Sequence, residues 1–220
     1  MIDDTVKVKL NNISSLLTVI TNRSVYWHLI NKIGKTATSC LKWEDIYNTK
    51  FDWKEIFLIP YKITQESFLQ NLQYQIIHRF YPCNRILNIW YKDHNSLCIA
   101  CDEEDTLEHY FYSCGQSLRF WNQLNRWWYV LTAVNIQFNK YYVIFGIINE
   151  NDDPLLNALN FCILYGKYHI SDCKRNLRTC CFSIFLRELK NRLEIEREIC
   201  YNNAKSAYFL KTWEDIYNSL

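Results

Sequence analysis

Residues 98–114 read CIACDEEDTLEHYFYSC and hold three cysteines and one histidine in the spacing Cys-x2-Cys-x7-His-x4-Cys. A Cys-x2-Cys turn can direct two thiolates at one ion, and a second pair about four residues apart can approach the same ion from a helix. The spacing therefore predicts one zinc ion bound by four residues, Cys98, Cys101, His109 and Cys114. Because a Cys3His set leaves no coordination position open for a substrate, the predicted zinc is structural.

The alternative for this stretch is a set of small, packed cysteines beside a histidine that caps a helix. The arrangement of the neighbouring residues along the sequence favours a metal site over this alternative. The first two cysteines fall in a loop, and Asp105 followed by Glu108 is a capping-box sequence that predicts a short helix with Asp105 as its N-cap. His109 then lies early in that helix and Cys114 near its end. The acidic run DEED, residues 102–105, is interpreted as a solvated loop.

The remaining cysteines carry a weaker signal. His169 and Cys173 would share one helix face, with Cys180 and Cys181 nearby. A second metal site there is an alternative to cysteines packed between helices, and packing is the interpretation that we favour. The first fifteen residues, MIDDTVKVKLNNISS, lack the apolar core of a signal peptide, so we expect an intracellular protein with reduced thiols.

The chain as a whole is predicted to be mostly α-helical. Four Gly and three Pro in 220 residues are too few for the turns of an all-β protein. The predicted fold is a helical domain stapled by the small Cys3His zinc loop, with a minor β element, a strand or buried turn, at YYVIFGII, residues 141–148. No apolar run reaches the about 18 residues of a membrane span, so no membrane partner is expected.

Three regions are predicted along the chain: a weakly patterned N-terminal segment at 1–50, a zinc-binding domain at 51–130 and a C-terminal helical region at 131–220. The first region contains a short predicted helix at 24–34. An extended or turning segment is predicted at 53–64, around Pro60. Further helices are predicted after a Thr64 cap, after Asn84, from Pro154 to about Cys173, and from about Phe182 to about Ala204.

Three stretches together resemble a known family: FLQNLQYQIIHRFYPCNRIL at 68–87, the metal loop at 97–114, and FWNQLNRWW at 120–128. They are similar to the zinc-binding region at the C-terminal end of non-LTR (LINE-type) retrotransposon reverse transcriptases. The matching positions outside the four ligands are Leu72, Gln73, Ile76, His78, Arg79, Thr106, Glu108, Phe120 and Trp121. Weaker matches at 143–146, 164–174 and 210–213 extend the resemblance over roughly residues 50–215.

In that family the region follows an endonuclease and a reverse transcriptase, and it contacts element RNA or target DNA. The resemblance implies a truncated element copy or a derived gene, located in cytoplasmic ribonucleoprotein particles or in the nucleus. A reverse transcriptase or another protein is a further implied partner. The sequence MIDD at 1–4 has no polymerase palm around it, and NENDDP at 149–154 lacks the spaced carboxylates of a nuclease. No enzyme activity is therefore expected from this chain alone.

Six basic residues are candidate contacts to RNA or single-stranded DNA: Arg79, Arg85, Lys92, Lys174, Arg175 and Arg178. Such side chains bind phosphates, and neighbouring Tyr or Trp side chains can stack on bases. The net charge is only +2, so any basic surface must be local.

Two other functions fit the same residues. The low net charge favours a helical protein-interaction module, in which the zinc only fixes the angle between helices. The second alternative is a remnant without a selected function. A continuous positive surface would favour nucleic acid, whereas an apolar patch would favour a protein partner.

Overall fold

The structure is a computed structural model that describes residues 7–10, 13–16, 36–202 and 206–220. The chain divides into two compact units, Met1–Trp43 and Glu44–Leu220. In the first unit, strands β1 (Lys7–Leu10) and β2 (Ile13–Leu16) form an antiparallel pair. The predicted helix at 24–34 lies outside the described residues.

The described part of the chain is mostly helical, which confirms the predicted fold class. Its helices are α1 (Thr38–Tyr47), α2 (Trp53–Ile63), α3 (Ser67–Ile77), α4 (Asn84–Trp90), α5 (Gly115–Thr132), α6 (Lys140–Phe145), α7 (Pro154–Arg175), α8 (Phe182–Asn202) and α9 (Ser206–Ser219). A single π-helical turn spans His109–Ser113. Among the described residues, no helix combines the length and the apolar character that crossing a membrane requires.

Helix α7 is the centre of the larger unit. Fifteen of its 22 residues are buried, as expected for a helix surrounded by other elements. Helices α2, α3, α6, α8 and α9 pack around it. At Gly166, an added Cβ would lie 2.9 Å from Phe120 and 3.0 Å from Trp121, so the glycine allows α5 to approach α7 closely. The predicted start is confirmed, because Asp153 accepts a hydrogen bond from the N–H of Leu155 and Pro154 is the first helical residue.

The predicted extended segment at 53–64 is wrong, because these residues form α2. The Asp52 side chain accepts a hydrogen bond from the N–H of Glu55 at 3.1 Å and so caps the first turn. Pro60 lies in the last turn, where the missing N–H removes one helical hydrogen bond without ending the helix. The Pro60 ring is buried, so packing offsets this loss.

Of the two alternatives predicted at 141–148, a strand or a buried turn, the strand is wrong, because Lys140–Phe145 form α6. Asn139 caps this helix by accepting a hydrogen bond from the N–H of Tyr142 at 2.9 Å. Gly146 ends it with a φ of +87°. Val143, Ile144 and Phe145 are buried in succession. A short continuous apolar run has no period, so it does not distinguish a buried strand from a buried helical turn.

The predicted domain limits can be placed on these elements. The limit at 50/51 falls between α1 and α2, and the limit at 130/131 falls inside α5. Glu44–Leu220 form one compact unit, which contains the predicted zinc-binding domain at 51–130 and the predicted C-terminal region at 131–220. The helix predicted from Phe182 begins there as α8, whereas its predicted end near Ala204 lies outside the described residues.

Candidate metal centre

The first two cysteines lie in a tight turn. The N–H of Cys98 donates to the carbonyl of Glu103 at 2.7 Å, and the N–H of Asp102 donates back to the carbonyl of Cys98 at 2.9 Å. Asp102 has a φ of +57°, in the left-handed region that closes such a turn. A bridge between Leu97 and Glu104 holds the base of the turn. The backbone therefore places both thiols on one loop of fixed shape.

The other two ligands lie at the two ends of the π turn. The N–H of Cys114 donates to the carbonyl of His109 at 2.9 Å, which is an i→i+5 hydrogen bond. In an α-helix, residues five apart point in different directions, because one turn takes 3.6 residues. The wider turn brings Cys114 back over His109. The capping-box sequence predicted an ordinary short helix, whereas the structure has a π turn that directs both side chains to one point.

A π turn leaves carbonyl groups without their usual helical donors, and side chains from elsewhere supply the hydrogen bonds. The carbonyl of Tyr110 accepts from the Ser117 hydroxyl at 2.8 Å and from the Lys174 ammonium at 2.7 Å. The carbonyl of Phe111 accepts from the Trp121 indole N–H at 2.6 Å. Helices α5 and α7 therefore hold the turn in place, and its buried polar groups are satisfied.

The four ligand atoms all lie within 4.8 Å of one another, so Cys98, Cys101, His109 and Cys114 form a group that could hold a metal ion. The Sγ atoms of Cys98 and Cys114 are 3.9 Å apart, and the Sγ of Cys101 is 3.2 Å from Nε2 of His109. In a tetrahedron with metal–sulfur bonds of about 2.3 Å and metal–nitrogen bonds of about 2.0 Å, these separations would be about 3.8 and 3.5 Å. These two separations are thus close to those of a tetrahedral site.

The imidazole of His109 is oriented from its other side. Nδ1 of His109 lies 3.2 Å from a carboxylate oxygen of Glu103, while Nε2 points toward Cys101. A carboxylate on the second nitrogen is the usual arrangement for a metal-binding histidine, because it fixes the tautomer and the ring plane. Burial and the positive charge of Lys174 lower the pKa of His109, which favours the neutral imidazole that binds metals.

The two buried thiols differ in their surroundings. Burial raises the pKa of Cys98 to about 12. Burial also acts to raise the pKa of Cys114, but Lys174 and the N–H groups of Gln116 and Ser117 at the start of α5 outweigh it, and the pKa is lowered. Cys114 is therefore the thiol whose anion the protein itself stabilises. A bound cation would stabilise all three thiolates, since metal ions deprotonate coordinating thiols.

The metal loop also carries helix α4. The carboxylate of Asp105 accepts a hydrogen bond from the N–H of Asn84 at 3.0 Å, and the Asn84 amide donates to the carbonyl of Leu97 at 2.7 Å. The predicted role of Asp105 as cap of the following turn is wrong by one residue, because Thr106 Oγ1 accepts from the N–H of His109 at 3.0 Å. Asp105 instead caps α4, a helix distant in sequence.

No family model matches the chain, and no curated protein matches it either. The assignment of the centre therefore depends on its geometry. Two features support it independently: the clustering of the four ligand atoms within 4.8 Å of one another, and the carboxylate of Glu103 on the histidine.

Of the predicted nucleic-acid contacts, Lys174, Arg175 and Arg178 come together. They line a cleft of about 370 Å³ together with Cys98–Ala100 of the metal loop. The Lys174 ammonium already has contacts within the protein, because it donates to the carbonyl of Tyr110 and lies 4.3 Å from the centre of the Tyr110 ring. Arg178 forms an ion pair with Asp172. Arg175 is exposed and has no ion pair among residues 36–202 and 206–220.

The other three basic residues are not equivalent. Lys92 is exposed just beyond α4. Arg85 is exposed and pairs with Glu104 at 2.8 Å. Arg79 is half-buried with a φ of +62°, and burial lowers its pKa while the neighbouring Glu108 acts to raise it. Arg79 is therefore better placed to join the end of α3 to the metal loop than to contact nucleic acid.

The second cysteine cluster has a different character. Nε2 of His169 lies 3.6 Å from the Sγ of Cys173, and Nδ1 lies 3.0 Å from Glu188. The imidazole also stacks on Phe120. Within the described residues, no second group of three or more potential ligands comes together. The favoured interpretation, cysteines packed between helices, describes Cys173, which is buried, but not Cys180 and Cys181, which are half-exposed.

Sequence reasoning missed three residues of the site. Glu103 was assigned to a solvated acidic loop, yet its carboxylate faces His109. Ile99 and Leu177 line the cleft and are each 75% exposed. A carboxylate within the loop that joins the ligand pairs is the signal that points to Glu103. No local pattern marks the two apolar residues, because the cleft unites distant parts of the chain.

Proposed function

We propose that the Cys3His group binds one zinc ion with a structural role. Three thiolates and one imidazole are soft to borderline ligands, which zinc prefers and which magnesium or calcium avoids. Four protein ligands complete a tetrahedron and leave no site for water or substrate. The ion would join the Cys98–Cys101 turn to the π turn and, through Asp105, would fix α4 beside them.

Metal content tests this proposal. Protein purified without chelator should carry one zinc per chain, and Cys114→Ser should lose it. Cys162→Ser is the matched control, because Cys162 and Cys114 are both fully buried and only Cys114 belongs to the group. Wild-type protein without stoichiometric zinc, or with equal zinc loss in both variants, would contradict the proposal.

We further propose that this zinc-stapled helical module binds single-stranded nucleic acid, as implied by the resemblance to the C-terminal region of LINE-type reverse transcriptases. The observation that carries the proposal is that Lys174, Arg175 and Arg178 line one cleft together with the metal loop. Lys and Arg beside an open cleft suit contact with a sugar–phosphate backbone. Such a module would act in a cytoplasmic ribonucleoprotein particle or in the nucleus.

Titration of a labelled oligouridylate or oligothymidylate by the zinc-loaded protein tests binding. Each neutralised phosphate releases counterion, with a slope of log affinity against log salt near −0.7 per contact. With about three to five contacts, affinity should fall roughly twenty- to one-hundred-fold between about 50 and 200 mM salt. No binding at low salt would overturn the proposal, and so would an affinity that ignores salt.

A protein-interaction module is the second candidate, and one observation favours it. The end of α4 exposes Ile89, Trp90 and Tyr91, which are 55%, 51% and 65% accessible. Adjacent exposed apolar side chains of this size are typical of protein contact surfaces. Trp90→Ser should leave salt-sensitive strand binding intact if this patch serves a protein partner, whereas a loss of strand binding would assign the patch to nucleic acid.

A further inference from the structure

The cleft beside the metal centre has two walls of different chemistry. One wall is the tip of the metal loop, with Ile99 and Ala100. The other is the C-terminal end of α7 and the residues after it, with Arg175, Leu177 and Arg178. Because the ligands Cys98 and Cys114 hold the first wall against α5 and α7, the width of the cleft depends on the metal site.

The charge of the cleft favours an anion. Lys174, Arg175 and Arg178 line it together with one carboxylate, Asp105. That carboxylate is buried, and its Oδ2 caps α4 through the N–H of Asn84. Among the lining side chains, even with Asp105 ionised, positive charges exceed negative ones by two. Arg178 also pairs with Asp172, which does not line the cleft, so a phosphate would compete with that carboxylate. A phosphate group is the anion that suits paired arginines, since the guanidinium presents several donors in one plane.

The cleft also presents apolar surface that a simple anion site would not need. Ile99 and Leu177 are each 75% exposed. Leu177 has a φ of +53°, and the N–H of Arg178 donates to the carbonyl of Cys173 at 2.8 Å, as in a helix C-cap. Glycine is the usual residue at such a position, because a Cβ strains the left-handed conformation. The large apolar side chain of Leu177 is held there at a conformational cost and is available for a contact outside the folded chain.

A third observation concerns Asp105. Its Oδ1 is buried beside the cleft and accepts no hydrogen bond from the described residues. A hydroxyl or N–H group on a ligand would satisfy this oxygen. The cleft therefore offers cations for a phosphate, aliphatic surface for a flat or apolar group, and one acceptor.

We propose that this cleft binds one nucleotide unit, with the phosphate on Arg175 and Arg178 and the nucleoside against Ile99 and Leu177. The volume of about 370 Å³ lies at the small end of ligand sites, so it accommodates a single unit and excludes a duplex. This inference rests on the proposed function, because the unit would be one nucleotide of the bound strand. The same chemistry would also recognise a free nucleoside monophosphate.

The first test removes the two phosphate contacts. In the zinc-loaded full chain, Arg175→Ala/Arg178→Ala should make the salt dependence of oligothymidylate binding shallower by about 1.4, which is twice the 0.7 of one contact. The control, Arg126→Ala/Arg187→Ala, removes the same charge from exposed positions that do not line the cleft and should leave the slope within about 0.3 of the wild type. Equal effects of the two double variants would overturn the cleft as the site.

The second test uses Leu177→Gly. Relief of the left-handed strain should raise the melting temperature, while the lost apolar contact should weaken oligothymidylate binding by roughly three- to tenfold. If Leu177 does not contact the strand, Leu177→Gly should raise the melting temperature and leave the affinity for oligothymidylate unchanged. Because the variant is expected to be more stable than the wild type, misfolding does not account for weaker binding.

Competition identifies the ligand unit. At constant ionic strength, thymidine monophosphate should displace the labelled strand at lower concentration than inorganic phosphate, and the difference should shrink in Leu177→Gly. Equal displacement by the two would reduce the cleft to an anion site and overturn the nucleotide assignment. A wild-type protein that binds no strand would instead overturn the proposed function itself, whereas strand binding unaffected by Arg175→Ala/Arg178→Ala overturns only the cleft.

Discussion

Helix α4 with the metal loop, residues 84–114, and helix α7, residues 154–175, are held in place by different forces. Helix α4 has no buried residue, whereas fifteen of the 22 residues of α7 are buried. Burial of side chains stabilises α7 from all sides. Helix α4 depends on a few hydrogen bonds to a loop that closes around the four ligands. The comparison indicates that α4 lacks the buried side chains that stabilise α7 and depends instead on the loop that carries the candidate metal group.

The largest expected effect comes from removing the metal. A structural zinc contributes on the order of 10 kcal/mol to the fold that binds it. In the metal-free protein, amide hydrogens of residues 84–114 should exchange rapidly, while those of α7 stay protected. Hydrogen exchange with mass spectrometry, before and after chelation, measures both regions in one sample. Equal protection of α4 and α7 without metal would show that α4 does not depend on the metal for its stability.

The next effect concerns a charge inside α7. The ammonium of Lys167 is buried against Gln73 and the carbonyl of Ile144, with no carboxylate partner among the described residues. Burial lowers its pKa from 10.5 to about 7. Between these two values the unfolded chain holds a proton that the folded chain has released, so the free energy of unfolding should rise with pH across this window.

Lys167→Met removes this titration. The variant should therefore be more stable than the wild type near pH 7, and the difference should shrink by roughly a few kcal/mol toward pH 10. Urea unfolding of both proteins at several pH values measures the difference, and titrations common to both cancel. A difference that stays constant with pH would mean that Lys167 remains charged in the fold. The zinc content should be the same in both proteins.

A smaller effect is expected from overpacking at the contact of α5 with α7. Gly166→Ala places a Cβ within 3.0 Å of two buried aromatic rings and should lower the free energy of unfolding by about 1–3 kcal/mol. Gly115→Ala is the control, because nothing lies within 4 Å of an added Cβ there. Thermal unfolding distinguishes them. If Gly166→Ala changed metal retention rather than global stability, the core and the metal loop would not be independent.

The smallest effect is expected at Glu103, which touches only the outer nitrogen of His109. Glu103→Gln should weaken zinc affinity by about tenfold, the lower end of the range for carboxylates behind a metal-binding histidine, because the carboxylate is largely exposed. Glu104→Gln is the matched control, since Glu104 pairs with Arg85 and not with a ligand. Competition with a chromogenic chelator measures both affinities. Equal affinities of the two variants would remove Glu103 as a positioning residue.

The features that the sequence predicted correctly depend on residues that lie close together in the chain. The four ligands follow from a spacing within seventeen residues, 98–114, and the start of α7 follows from Asp153 and Pro154. Pro60 misled the prediction of α2, because its last-turn position and burial are not visible in the sequence. The strand alternative at 141–148 failed because a short continuous apolar run has no period that separates a strand from a helical turn. The cleft could not be predicted, because two of its lining residues, Ile99 and Leu177, are far apart in the sequence.

The π turn at His109–Ser113 has a consequence for changes in chain length. A π turn is equivalent to an α-helical turn that carries one inserted residue. Deleting any one residue between His109 and Cys114 would leave the two ligands on one helical face, but it would rotate α5 by about 100° relative to the metal loop. The Trp121 indole would then leave the carbonyl of Phe111, and the packing of Phe120 against Gly166 would be lost. This segment should therefore tolerate substitution at its exposed positions far better than insertion or deletion.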